Sequence, residues 1–155
     1  ETIRKAKELG AIGIKDSSGD MAYLFSLIQE FKDSPEFSII AGTELFLPDT
    51  ILQGGHGAVA GGANLYPRLF VDLYNASVEK DLDKIALLRE KVMMIDNTIF
   101  SVGKHKSRII KGIKCALSVM GICSDYVAFP LRKFRSEERK KIEQYVEELN
   151  KILGE

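Results

Sequence analysis

The sequence predicts an α/β fold with parallel strands, because three short apolar runs alternate with segments of helical periodicity. The runs lie near residues 11–15, 37–41 and 57–60, and each is followed by turn residues. Strands that alternate with helices pair in parallel through right-handed crossovers. Three strands cannot close a barrel. The pattern therefore fits either the last three strand-helix units of a (β/α)8 TIM barrel, which in complete form takes about 250 residues, or a small open sheet.

Local signals place the helices around these strands. An opening helix ends at Gly10, and Asp20 is predicted to cap the helix that follows the first strand. Thr43 is predicted to cap a third helix that begins at Glu44, and Gly54-Gly55 is predicted to form the turn into the last strand. These assignments complete three strand-helix units.

From Pro67 onward the periodicity is helical only. Pro67 suits the first position of a helix, and Ser136 is predicted to cap the last helix, since two glutamates follow it. We therefore predict two parts: a partial TIM barrel over residues 1–80, and a C-terminal helical extension over residues 81–155 that packs on it.

The charge balance excludes two classes of function. The 155 residues include 22 Lys and Arg and 22 Asp and Glu, so the formal net charge is zero. Proteins that bind nucleic acid or membrane surfaces normally carry a basic excess. No apolar run approaches the roughly 18 residues of a membrane span, and the first 20 residues do not resemble a signal peptide. We expect no nucleic-acid or membrane partner, and a cytoplasmic location.

The cysteines and histidines form no recognised metal-binding spacing. The chain contains only Cys115 and Cys123 together with His56 and His105. We predict two free, buried thiols, no metal site and no cofactor. The chain also begins inside a helical pattern without an initiator Met, so we expect it to be part of a longer protein.

Lys15 is the residue of greatest chemical interest, because it ends an apolar strand at the edge where α/β folds place active sites. A neutral lysine amine in such a place can attack a ketone or aldehyde and form a Schiff base. Position alone favours the simpler interpretation, a solvated lysine at a strand end.

Other segments suggest alternative sites. Helix N-termini bind anions, so the loop of residues 16–20 is a possible phosphate cradle, although plain helix capping is the favoured interpretation. Residues 55–60 have the spacing of a dinucleotide fingerprint, but they follow a helix and enter a strand, which is the wrong order. We interpret His56 as a hydrogen-bonding loop residue. The basic cluster of residues 104–108, with Lys111 and Lys114 beyond it, is a candidate anion site, but the neutral chain and the lack of interleaved aromatic residues favour a solvated helix start.

The residues Gly13-Ile14-Lys15-Asp16-Ser17-Ser18-Gly19-Asp20 resemble the Schiff-base lysine motif of the dihydrodipicolinate synthase and N-acetylneuraminate lyase family of pyruvate-handling TIM-barrel enzymes. The segments 40–44, 54–59 and 63–67 are similar to the family's seventh and eighth strands and the loops that follow them. The resemblance covers essentially the whole chain, and it implies that the chain is the C-terminal part of such an enzyme.

The resemblance also implies roles for individual residues. Lys15 is similar to the lysine that forms an imine with pyruvate or a related 2-keto acid. Gly42 and Val59 match positions whose backbone lies beside the keto acid, and Ser17 and Glu44 match positions that contact the rest of the substrate. The family's proton-relay tyrosine and its carboxylate-binding threonines belong to the N-terminal half of such enzymes, which these 155 residues do not include.

Departures from the family pattern indicate the substrate class. Sialic acid lyases carry an acidic residue where this chain has Leu45 and a hydroxyl residue where it has Gly61. Dihydrodipicolinate synthases carry a proline-rich segment where it has residues 102–107. The resemblance therefore favours a 2-keto-3-deoxy sugar acid aldolase or dehydratase, working as a homo-oligomer. Two alternatives remain: an inactive folding or assembly unit in which half-barrels pair, and a phosphate-binding α/β domain.

Overall fold

The computed structural model describes residues 1–154, and within them it contains seven α-helices and three β-strands. In chain order these are α1 (Thr2–Glu8), β1 (Gly13–Asp16), α2 (Met21–Glu30), β2 (Ser38–Ala41), α3 (Leu47–Leu52), β3 (Gly57–Ala58), α4 (Pro67–Glu79), α5 (Leu82–Asn97), α6 (Arg108–Val119) and α7 (Ser136–Leu153). Short 3₁₀ turns lie at Glu44–Phe46, Gly62–Asn64 and Ile99–Ser101. None of the described helices is both long and apolar enough to cross a membrane.

The three strands form one parallel sheet in the order β1-β2-β3, as predicted. Lys15 pairs with Ile40 and Asp16 with Ala41, while Ala41 pairs on its other side with Ala58. β1 begins two residues later than predicted, because the N–H of Ala11 donates to the Ala6 carbonyl at the end of α1. The third strand is shorter than predicted: it comprises only Gly57–Ala58, which pair with Ile40 and Ala41.

Two predicted helix starts are confirmed. The Asp20 carboxylate accepts a hydrogen bond from the Tyr23 N–H at 3.0 Å, which makes Asp20 the N-cap of α2. Pro67 is the first residue of α4. Both depend on short-range chemistry, an acceptor for free N–H groups and a fixed φ angle, which the sequence displays directly.

Two other caps do not form as predicted. Thr43 takes the N-cap position of a turn that begins at Glu44, but its side chain makes no capping hydrogen bond, and the turn is 3₁₀, with α3 beginning only at Leu47. At α7 the capping position belongs to Arg135 and Ser136 lies inside the helix. There the Glu138 carboxylate accepts from the Arg135 N–H at 2.8 Å, so an acidic side chain within the first turn satisfies the end of the helix instead.

The chain divides into two compact units, each with its own core. The strand unit comprises Glu1–Ala60 and Val71–Leu87, and the helical unit comprises Gly61–Phe70 and Leu88 onward. In the strand unit α2 packs on one face of the sheet. Its core consists of Leu24, Leu27, Ile28, Phe31, Phe37, Ile39 and Ala41.

The helical unit packs α6 against α7 and against the turn Ile99–Ser101. The helix approaches that turn closely at Gly112, where a Cβ atom would lie 2.6 Å from the Ile99 carbonyl oxygen. Cys115 lies in this core with 1% of its surface exposed, and burial raises the pKa of its thiol. The prediction of two buried thiols is wrong for Cys123, which is exposed in the irregular segment after α6.

Candidate active site at the carboxyl edge of the sheet

The predicted site residues gather at the carboxyl edge of the sheet in the strand unit. Lys15 is the third of the four residues of β1, and Gly42 and Val59 directly follow β2 and β3. Two hydrogen bonds continue the ladder past the strand ends: the Gly42 N–H donates to the Asp16 carbonyl at 2.6 Å, and the Val59 N–H donates to the Ala41 carbonyl at 2.9 Å. Parallel pairing therefore brings three distant parts of the sequence together.

Lys15 lies on the face of the sheet opposite the helix-packed core. Successive strand residues alternate between faces, and Ile14 packs against the core cluster while Asp16 is buried. The Lys15 side chain is exposed. The sequence predicted Lys15 as the end of its strand. The structure places it one residue before that end, on the face opposite the core.

Asp16 holds the loop that follows Lys15, a role that the sequence analysis did not assign. One of its carboxylate oxygens accepts from the Ser18 N–H and the other from the Ser18 hydroxyl, both at 3.0 Å. The Ser18 hydroxyl accepts in turn from the Asp20 N–H at 3.1 Å. This is an Asx turn, and the Asp-Ser-Ser pattern was the signal for it.

These hydrogen bonds bear on the phosphate-cradle alternative. The N–H groups of Ser18, Asp20 and Tyr23 already donate to side chains of the loop itself. A phosphate would have to displace carboxylates from them and would be repelled by Asp16 and Asp20. The loop geometry therefore supports helix capping and argues against a phosphate-binding domain that uses this loop.

Gly42 lies in close contact with the loop after Lys15. A Cβ atom at Gly42 would overlap the Ser17 hydroxyl and would lie 2.8 Å from the Asp16 carbonyl oxygen. Only glycine fits here without displacing one of the two backbone segments. The contact fixes Ser17 against the end of β2, and so links two of the predicted substrate-contacting positions.

The other two predicted contact residues differ in accessibility. Val59 is 53% exposed, whereas Glu44 is 7% exposed at the start of the 3₁₀ turn after β2. Glu44 is the least accessible of the predicted contacts, and its burial was not foreseen from the sequence.

His56 has the hydrogen-bonding role that the sequence predicted. Its Nδ1 accepts from the Ile39 N–H at 3.1 Å, and its main-chain N–H donates to the Ile39 carbonyl at 2.9 Å. These two bonds attach the start of β3 to β2. Within residues 1–154, no cluster of three or more His, Cys, Asp or Glu side chains is arranged to hold a metal ion.

Comparison with known proteins identifies the relatives of this chain. A sequence model of the Dihydrodipicolinate synthetase family matches residues 1–149. A 4-hydroxy-tetrahydrodipicolinate synthase of Cytophaga hutchinsonii is 31% identical over 92% of this chain and 46% of the relative. A probable 2-dehydro-3-deoxy-D-pentonate aldolase of Escherichia coli is 31% identical over 83% of this chain and 42% of the relative.

Structural comparison gives the same grouping. A dihydrodipicolinate synthase structure from Bacteroides thetaiotaomicron superposes with a TM-score of 0.89 and 47% identity, over 95% of this chain and 49% of that one. The likeness confirms the predicted architecture, the last three strand-helix units of a (β/α)8 barrel followed by a helical extension. The chain spans about half the length of the relatives that it matches.

Proposed function

Because this chain belongs to the dihydrodipicolinate synthetase family, we propose that it is part of a Schiff-base lyase acting on pyruvate or another 2-keto acid. Lys15 supplies the amine. The observation that carries the proposal is its place: the carboxyl edge of a parallel sheet, on the face opposite the core, with the side chain exposed. Active sites of parallel barrels are built at this edge.

The chemistry follows from the amine. Neutral Lys15 attacks the keto carbon, the resulting carbinolamine loses water, and a protonated imine remains. The imine withdraws electrons from the neighbouring carbon. The hydroxyl on the next carbon loses its proton, the bond between these two carbons breaks, the far fragment leaves as an aldehyde, and the electron pair of the broken bond remains as an enamine. Protonation of the enamine and hydrolysis of the imine release the product and restore the lysine. Condensation is the same path in reverse.

The neighbouring residues are proposed to position the substrate. Gly42 and Val59 present main-chain groups that the ladder hydrogen bonds hold in place. Ser17, fixed against Gly42, and Glu44 are proposed to contact the part of the substrate beyond the keto acid. The Asx turn at Asp16 keeps this loop in one conformation.

A 2-keto-3-deoxy sugar acid is the proposed substrate class. Leu45 and Gly61 lack the polar groups that a sialic acid would meet, and residues 102–107 lack the prolines of the synthases. One relative is named as a probable 2-dehydro-3-deoxy-D-pentonate aldolase, a name whose substrate is of the proposed class. The proposal includes a homo-oligomer in the cytoplasm, and a division of this chain into a partial barrel (1–80) and a helical extension (81–155).

Trapping of the imine tests the proposal. The whole protein is incubated with pyruvate and borohydride, digested and analysed by mass spectrometry. We expect a reduced pyruvyl adduct on Lys15, none in Lys15→Arg, and an unchanged yield in Lys32→Arg, which alters an exposed lysine outside the site. An adduct that is absent from Lys15, or that persists in Lys15→Arg at other lysines with equal yield, overturns the proposal.

A further inference from the structure

We propose that a cleft in the helical unit binds a small polyanion, a molecule that carries two or more phosphate groups. The cleft has a volume of about 410 Å³ and lies between the start of α6 and the start of α7. We call it the cationic cleft. Six cationic side chains line it: Lys104, Arg108, Lys111, Arg132, Lys133 and Arg135.

The cationic cleft brings together two helix N-termini. Arg108 and Lys111 lie in the first turn of α6, and Arg135 immediately precedes α7. A helix N-terminus carries partial positive charge, so nearby cations destabilise it and nearby anions stabilise it. The first turn of α6 contains no acidic residue, and the Ser107 side chain makes no capping hydrogen bond. At α6 the arrangement is unfavourable by itself and becomes favourable when an anion enters, whereas the first turn of α7 contains Glu137 and Glu138.

Two of the lining cations are held in place by groups that leave their charge intact. The Arg108 Nε donates to the Phe100 carbonyl at 2.7 Å, and the Lys111 Nζ lies 4.5 Å from the centre of the Phe134 ring. A carbonyl and an aromatic ring orient a cation without neutralising it.

Carboxylates neutralise little of the remaining charge. The Lys133 Nζ lies 3.7 Å from Asp125, outside the lining of the cleft. Glu138 is the one carboxylate that lines the cleft among residues 1–154, and it accepts from the Arg135 N–H. Lys104 and Arg132 are exposed and form no ion pair within the described residues.

Size and charge together define the ligand class. The volume is within the range of small-molecule sites, roughly 300–1,000 Å³. A single carboxylate would leave most of the positive charge unmatched, whereas guanidinium groups such as Arg132 and Arg135 match phosphate oxygens two at a time. A nucleic acid would need a longer basic surface, and the chain is neutral overall. A compact polyanion therefore fits better.

Titration calorimetry of the whole protein with inorganic pyrophosphate tests the inference. We expect one site per chain, and an affinity at least about 10-fold higher than that of inorganic phosphate at matched ionic strength. Since each lost charged hydrogen bond costs roughly 10-fold in affinity, the double variant Arg132→Gln/Arg135→Gln should weaken binding by about 10- to 100-fold. Lys104→Gln, which alters an exposed residue outside the helices, should weaken it as well.

The control variant Lys140→Gln/Lys141→Gln removes the same charge from exposed positions of α7 outside the cleft, and should change the affinity less than about twofold. Absence of pyrophosphate binding at low salt overturns the inference. An equal loss in the control, or a short DNA duplex that binds more tightly and displaces pyrophosphate, overturns it too. Lys15→Arg should leave pyrophosphate binding unchanged, so the two proposals fail or succeed separately.

Discussion

The start of α2 and the start of α6 show opposite ways to build a helix N-terminus. At α2 the Asp20 carboxylate caps the helix, and Asp16 and Ser18 occupy the donors before it. At the cationic cleft Ser107 does not cap α6, and an arginine, whose side chain has no acceptor, precedes α7. The start of α2 is satisfied by its own acids. Glu138 likewise satisfies part of the start of α7, but the start of α6 has no acidic residue and lies among cations, so it is suited to an external anion.

The largest expected effect is at the sheet edge. Gly42→Ala places a Cβ atom against the Ser17 hydroxyl and 2.8 Å from the Asp16 carbonyl. We expect a loss of about 3 kcal/mol in the free energy of unfolding, since overpacking against backbone costs about 1–3 kcal/mol and occasionally more. Urea unfolding measures the loss, and the yield of the Lys15 adduct should fall with it.

The matched control for this change is the double variant Gly42→Ala/Ser17→Gly. Removal of the Ser17 side chain relieves the overlap but leaves the contact with the Asp16 carbonyl, so part of the stability should return. Pyrophosphate binding at the cationic cleft should be normal in the folded Gly42→Ala protein. If Gly42→Ala has the same urea midpoint as the wild-type protein, then Gly42 does not lie as close to Asp16 and Ser17 as the structure shows.

A smaller effect is expected at the lining of the cationic cleft. Gly103 has φ +102°, and a Cβ atom there would lie 3.2 Å from the Arg108 Cβ and 3.3 Å from the Phe134 ring. Gly103→Ala should cost about 2 kcal/mol, because backbone strain of this kind costs about 1–3 kcal/mol. It should also weaken pyrophosphate binding several-fold by displacing Arg108, while the Lys15 adduct still forms.

Gly121→Ala serves as the control for backbone strain alone. Gly121 has φ +74°, and a Cβ atom added there would have no neighbouring atom within 4 Å. We expect the substitution to lower the melting temperature without changing pyrophosphate affinity. If both variants weaken pyrophosphate binding equally, the effect of Gly103→Ala comes from general destabilisation and not from displacement of Arg108.

The smallest effect distinguishes the two kinds of helix start directly. Asp20→Ala removes a side-chain cap and should cost about 1 kcal/mol. Ser136→Ala should cost close to nothing, since Ser136 lies inside α7 and caps nothing. Thermal unfolding of both variants measures the two losses of stability. A larger loss for Ser136→Ala than for Asp20→Ala would show that Ser136 caps α7, as the sequence suggested.

The sequence was sufficient where the determining contacts are local. The Asp20 cap, the Pro67 helix start and the order of strands and helices depend on residues close together in the chain. The Thr43 and Ser136 side chains do not cap their helices as predicted, because a 3₁₀ turn and the Glu138 carboxylate, respectively, compete at those points. Residue type alone does not decide between such alternatives.

The two sites differ in the same way. The Lys15 motif is contiguous, so a resemblance over eight residues was enough to propose the chemistry. The cationic cleft joins residues 104–111 with residues 132–135, which are separated by most of α6 and by an irregular segment. Only the packing of α6 against α7 brings these charges together. The sequence therefore revealed the basic cluster at residues 104–108, which forms one side of the cleft, but not the second side at residues 132–135.

The ladder bonds of Gly42 and Val59 have a consequence for changing substrate preference. Both positions are fixed through main-chain atoms bonded to Asp16 and Ala41, whereas the side chains of Ser17 and Val59 are exposed around them. The Val59 side chain can therefore vary while the main chain beside it stays in register, whereas the Ser17 side chain is held against Gly42 and has to stay small. A library at Val59 would test substrate preference with little cost in folding.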